Sequence, residues 1–167
     1  GAVLEKEPDV IKLLVRHGAD ILMKSVHGDD AITSACLKGM TDIVAYFLDI
    51  AKPGLEREIE TLELIGCFFA DDKNDPEKAL ELWQKAYVTR VANGIAIPVK
   101  DNDEHGMFCD FQEIASSEDV SVLENDTDRL YRHSLMLRER ILGKMHRDTS
   151  YYVMYRGAVY ADHHQYE

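Results

Sequence analysis

Positive charge is scarce in this sequence: 19 lysines and arginines stand against 31 aspartates and glutamates, a formal net charge of −12. A surface of that sign repels a phosphate backbone, which argues against nucleic acid as a partner; it keeps a protein soluble and can attract a basic peptide. Long hydrophobic runs are also missing. With no stretch of 18 apolar residues, no membrane-spanning helix is expected. Cysteine is sparse, and Cys36, Cys67 and Cys109 are odd in number with no CxxC spacing, which points to free thiols in a reducing compartment. GxSxG, HExxH, P-loop and GxGxxG motifs are all lacking, so no catalytic set and no cofactor are expected. The opening "GAVLEKEPDV" has neither an initiator methionine nor a signal-peptide pattern, and "ADHHQYE" stops without a cap. An internal piece of a longer protein is the expectation.

What is present suits a globular chain: 46% hydrophobic and 30% charged residues over 167 positions, enough for one domain or two small ones. A repeat is visible. "DVIKLLVRHGAD" (9–20) returns in pattern as "DIVAYFLDIAKP" (42–53), 33 residues later. Val10, Leu13 and Leu14 fall at helical spacing, as do Ile43, Tyr46 and Phe47, so each segment predicts a helix with one apolar stripe. Gly18 stands where a helix end requires positive φ. The period and "LLVRHGAD" resemble the ankyrin repeat. Asp30-Ala31-Ile32-Thr33-Ser34-Ala35 occupies the place of its T-P-L-H-x-A start, keeping the apolar and small residues but not the proline or histidine.

Lys52-Pro53-Gly54 breaks the chain. Beyond it the spacing predicts a helix over 55–70, with Leu55, Ile59, Leu62 and Phe69 as a stripe and the second half apolar nearly all round. A further helix over 74–90 has Asp75 as N-cap and Pro76 at its first position. Gly66 and Phe69, followed by Ala79, Trp83 and Ala86, resemble the small–large pattern of a tetratricopeptide repeat. Leu62 and Trp83 are expected to lie on a continuous apolar spine. Residues from 91 to about 110 read as a loop, followed by helices over 118–125 and 127–142, the second buried through Leu130, Ser134, Leu137 and Ile141 and ended by Gly143.

The block "RERILGKMHRDTSYYVMYRGAVYAD" (138–162) carries reactive residue types, yet its spacing reads as a bend between helices. Thr149 is the expected N-cap, and Tyr151, Tyr155, Ala158 and Val159 the buried face, with Gly157 and Tyr160 at a close helix contact. Metal binding finds little support. His105 and Cys109 lack a second pair, His163 and His164 are adjacent, and His27 and Cys36 are nine apart, so no metal site is expected.

Together, "LRERILG", "HRDTSYYVMYRGAVYAD" and "IETLELIGCFFADDKNDPEKALELWQKA" resemble the Fem (feminization) homologue family over nearly the whole chain. The resemblance implies an all-α helical-repeat solenoid: the last part of an ankyrin array over 1–54, then tetratricopeptide-like repeats over 55–167. It further implies a non-catalytic substrate receptor of a cullin-RING ubiquitin ligase that grips C-terminal tails, often with arginine near the end, and in nematodes a tie to sex determination. Contact with the ligase subunits is expected outside this chain, and the setting is cytoplasmic, with the nucleus also open.

On the concave side of the ankyrin part, the exposed candidates for peptide binding are His27, Asp29, Asp30, Thr33 and Lys38. The paired acids could hold a basic peptide end or merely shape the turn. A different reading is a scaffold or chaperone-type adaptor that seizes acidic tails through Lys73, Lys78 and Lys85.

Overall fold

In a computed structural model, residues 8–96 and 113–164 are described, and among them are eight α-helices and no strand. The helices are α1 (Pro8–Arg16), α2 (Ala31–Leu37), α3 (Thr41–Ala51), α4 (Leu55–Asp71), α5 (Pro76–Ala92), α6 (Ser117–Asn125), α7 (Thr127–Leu142) and α8 (Arg147–His164). The all-α expectation therefore holds for the described residues.

Local chemistry explains most of the boundaries. After α1, Gly18 takes φ +93°, which lets the Ala19 N–H reach the Leu14 carbonyl and the Gly18 N–H reach that of Val15. That pair of bonds satisfies carbonyls the helix would otherwise leave open. Asp75 caps α5 by accepting from the Lys78 N–H at 3.1 Å, with Pro76 at the first helical position. Ser116 and Asp119 form a reciprocal capping box at α6. Asp126 caps α7, which ends at Gly143.

The central element is α4, which packs against α2, α3, α5 and α7. Its Leu64 and Ile65 join one apolar cluster with Ile11, Ile32, Ile43 and Phe47. Its Cys67 and Ala70 join a second with Ala79, Trp83, Leu130 and Leu137. A helix buried on several sides is what an apolar surface nearly all round demands. Gly66 makes the closest approach possible: any Cβ there would overlap the Trp83 indole, whose Nε1–H donates to the Glu63 carbonyl at 3.1 Å.

Several expected faces are corrected. In α1, Ile11 is wholly buried while Val10 and Leu13 are 38% and 52% exposed. The stripe is rotated by one residue, because Ile11 and Val15 are the pair that meets the first cluster. Leu62 is only half-buried and belongs to neither cluster. Leu55, Leu62 and Phe69 stand seven apart, and all three lie on the least covered side of α4. The buried apolar residues of α4 include Ile59, Leu64, Ile65 and Cys67; Leu64 and Ile65 join the first cluster, while Cys67 joins Trp83 in the second. Val91 and Ala92, expected in a loop, complete α5; residues 97–110 of that loop lie outside the described residues.

At the C-terminal bend, α8 begins at Arg147, two residues before the expected cap. The Ser150 N–H donates to the His146 carbonyl, and Thr149 is buried with its hydroxyl on the Arg138 carbonyl at 3.4 Å. The buried tyrosine is Tyr152, whereas Tyr151 and Tyr155 are exposed and stack on one another. Ala158 is likewise exposed, and Val159 half-buried. Charge selects the face: Tyr152 donates to Asp72 Oδ1 at 2.6 Å and lies under the Arg138 guanidinium at 4.1 Å. A Cβ on Gly157 would meet nothing within 4 Å, so no close helix contact forms there. The side chain of Tyr160 lies outside the described residues.

Candidate functional site

The five candidate residues occupy the turn before α2 and that helix itself. Asp30 is the N-cap, its Oδ1 accepting from the Thr33 N–H at 2.8 Å. Arg57, from the first turn of α4, places Nη2 at 2.8 and 3.1 Å from the two Asp30 oxygens and 2.7 Å from Thr33 Oγ1. Asp29 points elsewhere. Its two oxygens both lie 2.9 Å from His146 Nε2, in the turn between α7 and α8. The ring's Nδ1 accepts from the Asp148 N–H, so Nε2 carries the proton and donates to Asp29.

Asp29 and Thr33 are therefore buried, 8% and 7% exposed, and not on an open face as expected. The reason is that α4 and the α7–α8 turn pack over the turn and complete its hydrogen bonds. Asp30 is half-buried, while His27 and Lys38 are exposed. The structure joins Asp30 and Thr33 through Arg57 and assigns Asp29 to a different tie. An open depression of about 500 Å³ lies between the end of α3 and the start of α4, lined by Ala45, Leu48, Asp49, Lys52, Gly54 and Glu58. None of the five candidates lines it.

Two buried charge networks went unseen in the sequence. Glu63 accepts from Arg90 at 3.1 to 3.3 Å and from Arg140 Nη2 at 2.8 Å; Arg140 also grips Glu113 at 2.6 and 3.0 Å. Burial pushes the Glu113 carboxyl above its ordinary range, partly offset by Arg140. For Arg140 burial works against its charge, and the two glutamates outweigh it, raising its pKa. The second network centres on Asp71, which accepts from the Ser134 hydroxyl at 2.6 Å, Arg138 Nε at 3.2 Å and Arg156 Nη2 at 3.2 Å. One signal was available: Glu63 stands at the start of the half of α4 that is apolar nearly all round, and a carboxylate in such a place must find cations.

The nucleophile candidates are inert. Burial pushes both the Cys36 and Cys67 thiols up to about 12, far from the thiolate form that reacts. His133 is held neutral, its pKa lowered by burial to about 3. Among the described residues no group of three or more His, Cys, Asp or Glu could hold a metal ion, and no helix is long and apolar enough to cross a membrane. His105 and Cys109 lie outside the described residues, as do the side chains of His163 and His164.

Among the described residues, the arrangement positions helices against one another through paired charges. No protein-family model matches the chain. It is 39% identical over 158 residues, 92% of its length, to protein fem-1 homolog C of Homo sapiens, and equally to that of Mus musculus. To protein fem-1 homolog A of Danio rerio it is 35% identical over 144 residues, 84% of its length. These matches cover 25% and 23% of the relatives' own lengths. The chain belongs to the fem-1 homolog family, spanning about a quarter of the length of the relatives it matches.

Proposed function

We propose that the chain is an internal segment of a non-catalytic substrate-recognition subunit of a cullin-RING E3 ubiquitin ligase. In this reading the whole protein binds C-terminal degrons of its targets and promotes their ubiquitination and proteasomal degradation. The observation that carries it is the 39% identity with fem-1 homolog C across 92% of the chain. The inert thiols and neutral buried histidine accord with a receptor whose partner subunits perform the covalent step.

Residues 1–54 are read as the last part of an ankyrin array and 55–167 as tetratricopeptide-like repeats. Support for the first comes from the 33-residue offset, which pairs buried Ile11 with buried Val44, and from Lys12 Nζ, 5.3 Å from the Tyr46 ring centre. Support for the second comes from the Gly66–Trp83 contact and the buried Ala79 and Ala86. In such a stack the exposed His27 and Lys38 are the candidates for direct peptide contact, with Asp29, Asp30 and Thr33 shaping the turn between them. Ligase subunits dock through regions outside this chain, in the cytoplasm.

The test is an array of C-terminal peptides probed with the full-length protein that contains this segment. Retention of tails with an arginine near the end, lost when the terminal carboxylate is amidated, is the expected result. Preference for acidic tails would reject the receptor reading and favour a tetratricopeptide adaptor.

A further inference from the structure

Between α4, α5 and α7 the Glu63 network lines a partly open cavity of about 20 Å³, walled in part by Glu63, Trp83, Arg90, Glu113, His133 and Leu137. Two donors in that wall are unmatched. Arg90 spends Nε and Nη2 on Glu63, and its Nη1 has no protein partner. The His133 Nε2 lies 3.4 Å from the Ile114 N–H and accepts from it, so the proton of the neutral ring sits on Nδ1, which also has no protein partner. Both side chains are 3% exposed, so bulk water does not reach them. Buried donors of this kind are satisfied, as a rule, by protein or by ordered water.

We propose that this cavity is the site of one internal water molecule, accepting from Arg90 Nη1–H and His133 Nδ1–H and donating to the Glu113 carboxylate. The volume suits a single molecule, since about 10–15 Å³ of such space is the minimum for one water. Charge decides between water and a small anion. The carboxylates of Glu63 and Glu113 balance the guanidinium groups of Arg90 and Arg140, leaving no net positive charge to hold a halide. Glu113 accepts two bonds from Arg140, and a carboxylate has about four acceptor positions, so some remain for a water proton. The water completes a link from α5 and α7 to Glu113, immediately before α6. This inference rests on the cavity alone and stands or falls independently of any ligase role.

Four measurements on the whole chain test it. A crystal structure that shows ordered water is expected to place density about 2.7–3.2 Å from both Arg90 Nη1 and His133 Nδ1. Long-range ¹H–¹⁵N spectra of the histidine ring are expected to show Nδ1 protonated and Nε2 bare at neutral pH. In His133→Phe the density is expected to vanish. A dry cavity, an Nε2-protonated ring, or density that persists unchanged in His133→Phe would each overturn the proposal. A crystal soaked in bromide separates the alternatives: anomalous scattering at the site would replace the water by an anion and reject the assignment.

Discussion

Asp29 and His146 stand 117 positions apart in the chain, yet the histidine Nε2 lies 2.9 Å from both oxygens of the aspartate. This bond ties the turn leading into α2 to the turn between α7 and α8, and Ile141 and Leu142 of α7 pack against the same cluster as α2 and α3. Both side chains are nearly covered, 6% and 8% exposed, so a lost partner is not replaced by solvent. Asp29→Ala is expected to lower stability by about 1–3 kcal/mol, the usual cost of stranding a buried donor. A double-mutant cycle with His146→Ala, read by urea denaturation, is expected to return a coupling of about 1 kcal/mol. Strict additivity of the two single changes would show that the bond contributes nothing.

Gly66 admits no side chain, because a Cβ would enter the Trp83 indole. Gly66→Ala therefore forces α4 and α5 apart or tilts the ring out of its bond with Glu63, at a cost of about 1–3 kcal/mol. Trp83 is the chain's single tryptophan, so its fluorescence reports the site without ambiguity. The expected outcome is a shifted native emission together with a lower urea midpoint. An unchanged spectrum and midpoint would mean that the helices yield freely there.

His133 predicts a definite pH dependence. Its folded pKa is lowered to about 3 by burial, against 6.5 for an unperturbed ring, so below pH 6.5 the unfolded chain binds the proton and the folded chain does not. Stability from this group is complete above 6.5 and falls as pH drops toward 3, by up to about 1.4 kcal/mol per pH unit. The difference in denaturation slope between the wild-type chain and His133→Gln, followed from pH 7 to 4, isolates that contribution. Parallel slopes would rule out a buried neutral ring.

Cys36 and Cys67 are predicted to resist modification. With both thiols buried and pushed up to about 12, reaction with a thiol-specific reagent is expected only when the chain unfolds. Labelling followed by peptide mass mapping distinguishes these sites from Cys109. Native-state labelling at either buried site as fast as in denaturant would contradict the packing around α4.

Helix starts set by local chemistry are legible in the sequence. The start of α5 at Pro76 and the span of α7 from Thr127 to Leu142 match the expected bounds, because Asp75, Pro76, Asp126 and Gly143 act on their own few neighbours. Burial was harder wherever a helix had two plausible faces. On α8 the spacing of Tyr151, Tyr155, Ala158 and Val159 is as regular as that of Thr149, Tyr152, Val153 and Arg156. The second set was chosen by Arg138 of α7, Asp71 at the end of α4 and Asp72 just beyond it. Of the expected α4 stripe of Leu55, Ile59, Leu62 and Phe69, Ile59 is wholly buried, whereas the other three are only half-buried.

The candidate residues followed the same division. A turn capped by Asp30 is legible from its own neighbourhood. That Asp30 would be gripped by Arg57, and Asp29 by His146, is not, since those partners come from 27 and 117 residues away.

By itself, then, the sequence determined the helices, several of their ends and the family resemblance, because periodicity, caps and short motifs act within a few turns of chain. Tertiary structure alone decided which faces meet and which charges are buried together. Those outcomes depend on pairings across long stretches of chain, where many arrangements share the same local pattern and only packing selects among them.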